Sequence, residues 1–295
     1  MKVLAFGGVS ALPLYAAMEC GFFAPSVDPG FAANSGQVRD GLAYGDIQVA
    51  HAAVDNALAL AEGGVDVSVV LGCDDGLISL VVRPDIQTLE DLRGRALVVD
   101  APQTGFALLA YALLARHGLS RDVDFDVVPA GSSARRLEAL RDDTHNGAAL
   151  LTQPYAAQAL AEGFRTLGDP LEGIGPYLAN AAFVRRDWVD ANSEVLTTYI
   201  ESYLQGLEWA CDPENRGDAA MLLQKHLQVD AALARDMAPV FARHAITGGK
   251  VEQAALDTVL SLRRTYLDRT GGTGMTATGL IDMRWRDAAA LRLGE

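Results

Sequence analysis

The sequence predicts an α/β protein of two lobes, the second inserted into the first, ending in a helical C-terminal segment. Three observations carry this. From Val3 to Val184, short apolar runs alternate with segments of helical period, the rhythm of βα units around a sheet. The rhythm comes in two sets, one before Val82 and one from Ala96 to Glu162. After Phe183-Val184 only helical patterns remain.

In the first set, residues 3–6 read as a strand, Gly7-Gly8-Val9-Ser10 as a loop, and 12–23 as a helix whose first turn tolerates Pro13. A short helix over 38–44, a strand over 46–50, a helix over 54–62 and β-rich runs over 67–71 and 77–82 follow. The second set gives strands at 96–99, 125–129 and 148–151, with helices at 106–117, 133–141 and 155–162. The helical remainder covers 193–210, 218–226, 231–241 and 251–269. Both Leu80-Val81-Val82-Arg83-Pro84-Asp85 and Ala182-Phe183-Val184-Arg185-Arg186-Asp187 end a β-run with basic then acidic residues. They read as a pair of hinge strands, which places 1–82 and 184–295 in the first lobe and 83–183 in the second. Gly271-Gly272-Thr273-Gly274 reads as a turn cluster before a short tail.

Composition narrows the function. Half of the 295 residues are hydrophobic and 21% are charged, enough apolar material for a packed core. The 38 acidic against 24 basic side chains give a net charge of −14, which repels phosphate backbones and anionic lipid. Nucleic acid and direct membrane insertion are therefore not expected, and no run of apolar residues is long enough to span a bilayer. Cys20, Cys73 and Cys211 are odd in number and lack metal-ligand spacing, so neither a metal nor a cofactor is expected. Free thiols and the absence of a leader pattern point to the cytoplasm for the chain as written, or to the periplasm if a signal has been trimmed.

In open α/β sheets, ligands gather at the carboxyl ends of strands, where helix N-termini present backbone N–H groups. Four strand-to-helix turns rich in small polar residues mark such ends: 7–12, 51–56, 100–105 and 131–133. Thr104 or Ser132 taken alone is a helix cap; the four together suggest one small-ligand cleft. His51 is open to two readings, a ligand donor or general base on the one hand, and a hydrogen-bonded structural histidine on the other. Asp74-Asp75 reads as a solvated turn, Cys20 as core, and Arg135-Arg136 either as an anion clamp or as a solvated helix face. Cys73 beside two aspartates is a poor nucleophile.

The segment Gly8-Val9-Ser10-Ala11-Leu12-Pro13-Leu14-Tyr15-Ala16-Ala17-Met18-Glu19-Cys20-Gly21-Phe22-Phe23 resembles the opening of the nitrate/sulfonate/taurine and thiamine-pyrimidine-precursor binding proteins, whose first helix ends in GxF. Gln37 to Ile47 is similar to that family's aLaaGeiD segment, and Asp91-Leu92-Arg93-Gly94-Arg95-Ala96-Leu97-Val98-Val99 to its dLkGKkva entry into the second lobe. The resemblance runs to about Trp188 and implies a type II periplasmic-binding-protein fold with a central cleft. Carried over residue by residue, Ser10, Ala11, Leu12, Asn34, Ser35, Gly36, His51, Ala52 and Asp55 would line that cleft from the first lobe. Gln103, Thr104, Gly105, Ser132 and Gln153 would line it from the second. The implied function is a solute-binding receptor of an ABC importer, closing on a small anionic or heterocyclic ligand and partnering a permease if exported. Two alternatives stand beside it. One is a cytoplasmic lyase on the same fold (a decarboxylase, desulfinase or dehydratase) with His51 as its catalytic residue. The other is a sensory module.

Overall fold

A computed structural model describes residues 1–267 and 279–294; the Gly271-Gly272-Thr273-Gly274 cluster lies outside the described residues. The chain forms two compact units. Met1–Gly76 and Leu178–Asp257, joined by the C-terminal helix, make the first; Leu77–Tyr177 and the chain from Thr258 make the second.

The first unit begins with β1 (Lys2–Ala5), a 3₁₀ turn at Val9–Ala11, α1 (Leu12–Glu19), β2 (Asp28–Phe31) and α2 (Ser35–Tyr44). β3 (Val49–Ala53), α3 (Val54–Glu62) and β4 (Val67–Asp74) follow. The second unit runs β5 (Ile78–Val82), β6 (Arg95–Val99), α4 (Gly105–Arg116), β7 (Phe125–Pro129) and α5 (Ser133–Asp142). It continues through β8 (Asn146–Thr152), α6 (Tyr155–Ala161) and the short β9 (Arg165–Thr166). The chain returns to the first unit as β10 (Asn180–Arg185), then α7 (Arg186–Ala191), α8 (Ser193–Cys211), α9 (Arg216–Leu227) and α10 (Ala231–His244). α11 (Gln253–Tyr266) crosses into the second unit at Thr258, and α12 (Arg284–Leu293) belongs to the first.

Each unit holds a five-stranded sheet, ordered β2-β1-β3-β10-β4 in the first and β7-β6-β8-β5-β9 in the second. In the first, β1 is parallel to β2 and β3, with Ala5 opposite His51. β10 runs antiparallel to both β3 and β4. The carboxyl ends of β1, β3 and β4 and the amino end of β10 therefore share one edge. The second sheet repeats the scheme, with β6 parallel to β7 and β8 and β5 antiparallel to β8. β4 is buried along all eight residues although it is an edge strand. Bridges from Val69 to Ile281 and from Asp74 to Ala245 cover its free side, one of the ways an edge is kept from pairing with foreign strands.

Several expectations need correction. β5 pairs only within the second sheet and β10 only within the first, so the proposed hinge strands are not partners. The division falls six residues earlier than expected at both crossings, after Gly76 instead of 82 and after Tyr177 instead of 183. The first helix stops at Glu19, because Gly21 turns left-handed (φ 73°) and the Phe22 and Phe23 N–H groups fold back onto the Ala17 carbonyl. Cys20 is consequently exposed and not core. β2 escaped the sequence reading because Asp28, Pro29 and Gly30 all disfavour a strand; an edge position tolerates the proline. β3 starts at Val49 instead of 46, which puts His51 mid-strand.

One close approach governs the first unit. A Cβ on Gly206 of α8 would lie 2.3 Å from the Pro13 carbonyl oxygen of α1, so only glycine lets these two helices meet. That contact fixes how deeply α8 sits, and with it Tyr203 and Tyr199, on the same face about one and two turns before Gly206.

Candidate functional site

At the carboxyl edge of the first sheet lies a pocket of about 30 Å³, lined by Ala5, Phe6, Ser10, Ala11, Leu14, His51, Cys73 and Asn180. Its floor is apolar and its polar groups are Ser10, His51, Cys73 and Asn180. Every contributor belongs to the first unit. The volume admits a small group of atoms and not a whole metabolite.

His51 is buried, and both of its ring nitrogens are engaged. Nε2 lies 2.7 Å from the Tyr199 hydroxyl and Nδ1 lies 3.4 Å from Cys73 Sγ. Burial drives its pKa down to about 3, so the ring is neutral at physiological pH. Tyr203 packs against the same ring at 4.9 Å. Its hydroxyl is buried beside the Cys73 thiol. Burial pushes the Cys73 thiol well up, so no thiolate is available. A neutral imidazole held between a phenol and a thiol is a packing element, which favours the structural reading of His51.

Asp74 is the residue that the sequence misread. It is fully buried, not a solvated turn. Its carboxylate accepts from Asn180 Nδ2 at 3.0 Å through each oxygen, and Ser10 and the Gly76 backbone also favour its ionised form. Burial raises its pKa to about 6, partly offset by the Asn180 and Ser10 hydrogen bonds. Asp75 does sit nearer solvent, where it holds His244 Nδ1 at 2.8 Å.

Of the other expected first-lobe residues, Leu12 is fully buried in α1 and Ala52 is buried beside His51. Neither lines the pocket. Asn34 caps α2 by accepting from the Gln37 N–H, and Ser35 and Gly36 form that helix's first turn. Asp55 lies in the first turn of α3. Ser10, Ala11 and His51 are thus the expected residues that the pocket brings together.

The second unit has its own polar edge. Thr104 caps α4, accepting from the Ala107 N–H and donating to Asp100 Oδ1 at 2.6 Å. Gly105 opens that helix, and Gln103 is exposed just before it. Ser132 caps α5 by accepting from the Arg135 N–H, and Gln153 Oε1 accepts from the Ala157 N–H. Beneath them, Arg136 is buried, not part of a solvated face. It donates to the Leu150 carbonyl, the Gly131 carbonyl and Ser133 Oγ, each at 2.6 Å. No ion-pair partner for it is found among the described residues.

A family model described as the NMT1-like family matches residues 5–224. The chain belongs to the NMT1-like family. No curated protein matches it in sequence. Among solved structures, the ligand-binding component of an ABC-type import system from Staphylococcus aureus, with zinc bound, superposes at TM-score 0.82 with 12% identity, covering 98% of each chain. The periplasmic nitrate-binding protein NrtA from Synechocystis PCC 6803 gives 0.80 at 16% identity, over 99% of this chain and 88% of its own. The alkanesulfonate-binding protein SsuA from Xanthomonas axonopodis pv. citri, bound to MOPS, gives 0.75 at 16%, over 96% and 98%. The periplasmic-binding-protein fold implied by the resemblance is thereby borne out for this NMT1-like chain. No helix among its described residues is long and apolar enough to cross a membrane, and no group of His, Cys, Asp and Glu among them is arranged to hold a metal.

Proposed function

We propose that this NMT1-like protein is a solute-binding receptor of the ABC-importer type, taking a small molecule at the carboxyl edge of its sheets. The observation that carries the reading is the pocket among Ser10, Ala11, His51 and Asn180, formed where this fold class gathers ligands. The same reading assigns the protein a permease partner and a periplasmic site of action. The lyase alternative loses support because its candidate base, His51, is neutral, buried and held at both nitrogens. Cys73 offers no activated nucleophile in its place.

The test is native mass spectrometry with a thermal-shift panel of small amides, amines, sulfonates and carboxylates. Each stabilising compound is re-examined chemically after incubation. A receptor returns its ligand intact, with a melting shift that grows logarithmically with ligand concentration. Conversion of the compound, abolished by His51→Ala, would replace the receptor with an enzyme.

A further inference from the structure

The polarity of the first-unit pocket follows from what stands behind it. An ionised carboxylate can only accept hydrogen bonds. The amide atom that Asn180 turns toward Asp74 must therefore be its nitrogen, which leaves Oδ1 free, and no described donor reaches that oxygen. Ser10 also favours the ionised form of that carboxylate. Both residues line the pocket. His51 and Cys73 are spent on each other and on Tyr199. The Asn180 side chain thus offers an acceptor, and no charged basic side chain lines the space.

The N-terminus of α1 works in the opposite sense. The Val9 and Ser10 N–H groups precede the helix, and a helix end carries roughly half a positive charge. Against it stands a full negative charge on Asp74, buried and one hydrogen bond from the pocket wall. In a low-dielectric setting the full charge dominates. The backbone donors can still satisfy an acceptor carried by an uncharged group, whereas a bare anion meets the carboxylate.

We propose that this pocket receives an uncharged or cationic N–H donor group, an amide or an amine, and that Asp74 is the positioning residue that sets this preference through Asn180. The proposal rests on the receptor reading and narrows the ligand class within it. It departs from the expectation of an anion drawn from the turns alone.

The probes are acetamide and acetate, nearly identical in shape and different in charge and donors. Binding is read from the side-chain amide resonances of Asn180 and from the melting shift, at neutral pH. Acetamide should bind at least about tenfold more tightly than acetate, roughly 1.4 kcal/mol. Asp74→Asn should shrink that ratio severalfold while leaving the protein folded, an effect a purely structural Asp74 would not produce. Should the variant fail to fold, the wild-type ratio decides alone. Acetate binding as well as acetamide, or no response of Asn180 to acetamide at about 10 mM, would overturn the proposal. Acetate preference would leave the receptor reading intact, and chemical turnover of a ligand would sink only that reading.

Discussion

The two units share a strand scheme and differ in what they bury. In each sheet the strand that arrives from the other unit, β10 or β5, is antiparallel to its βα-linked neighbours. Beneath its polar edge the first unit buries a carboxylate, Asp74, surrounded by neutral donors. The second buries a guanidinium, Arg136, surrounded by neutral acceptors. Equivalent topology therefore presents opposite chemistry: a side-chain acceptor at the first edge, and turns organised by a cation at the second. Fold alone does not determine ligand polarity; in the first unit the proposal assigns that role to the buried Asp74 carboxylate.

The comparison breaks most visibly at Arg136. Arg136→Ala leaves two carbonyls and a hydroxyl without their donor and opens a cavity, so urea unfolding should show a loss of about 3 kcal/mol. A loss below about 1 kcal/mol would mean that water replaces the side chain freely. Gly206→Ala forces a methyl into the Pro13 carbonyl and should cost about 2 kcal/mol. It should also loosen Tyr199 from His51, visible as a changed environment of that tyrosine.

The pH dependence sharpens the comparison further. The folded state holds Asp74 near 6 against an ordinary 3.8, so its contribution is full below about 4 and is lost as pH rises through about 6. It holds His51 near 3 against 6.5, so that contribution is full above 6.5 and is lost as pH falls toward about 3. Between about 4 and 6 the two slopes oppose each other and the wild-type melting temperature should vary little from this pair. Asp74→Asn should expose the histidine slope, with stability falling on acidification. His51→Gln should expose the opposite slope. Parallel profiles for both variants would refute the assignment. The smallest effect belongs to the cap: Thr104→Ala should cost about 1 kcal/mol by thermal or urea melts.

Periodicity made most of this fold legible, since helices such as α3 and strands such as β7 follow directly from apolar spacing and turn residues. β2 was not legible, because a proline-glycine pair forms an edge strand only when β1 supplies the hydrogen bonds. Ser10 and Ala11 were legible in the turn after the first strand, and His51 was placed at a strand end although it lies mid-strand. Asp74 was not: its donor on Asn180 lies 106 positions away, and an Asp-Asp pair looks solvated until that donor is in place. Tyr199 lies 148 positions from His51, and only its spacing with Tyr203 on one helix face hinted at a shared target. Arg136 likewise needed the Leu150 carbonyl of β8 to distinguish it from its exposed neighbour Arg135.

The most direct test of this account is a titration of the Asp74 side-chain carboxyl carbon by NMR in the ligand-free protein, assigned by its loss in Asp74→Asn. A carboxyl that titrates near 6, with the Asn180 amide resonances moving in step, is the predicted result. A carboxyl still protonated at neutral pH, or one whose titration leaves Asn180 unmoved, would contradict the claim that a buried charge sets the polarity of the pocket.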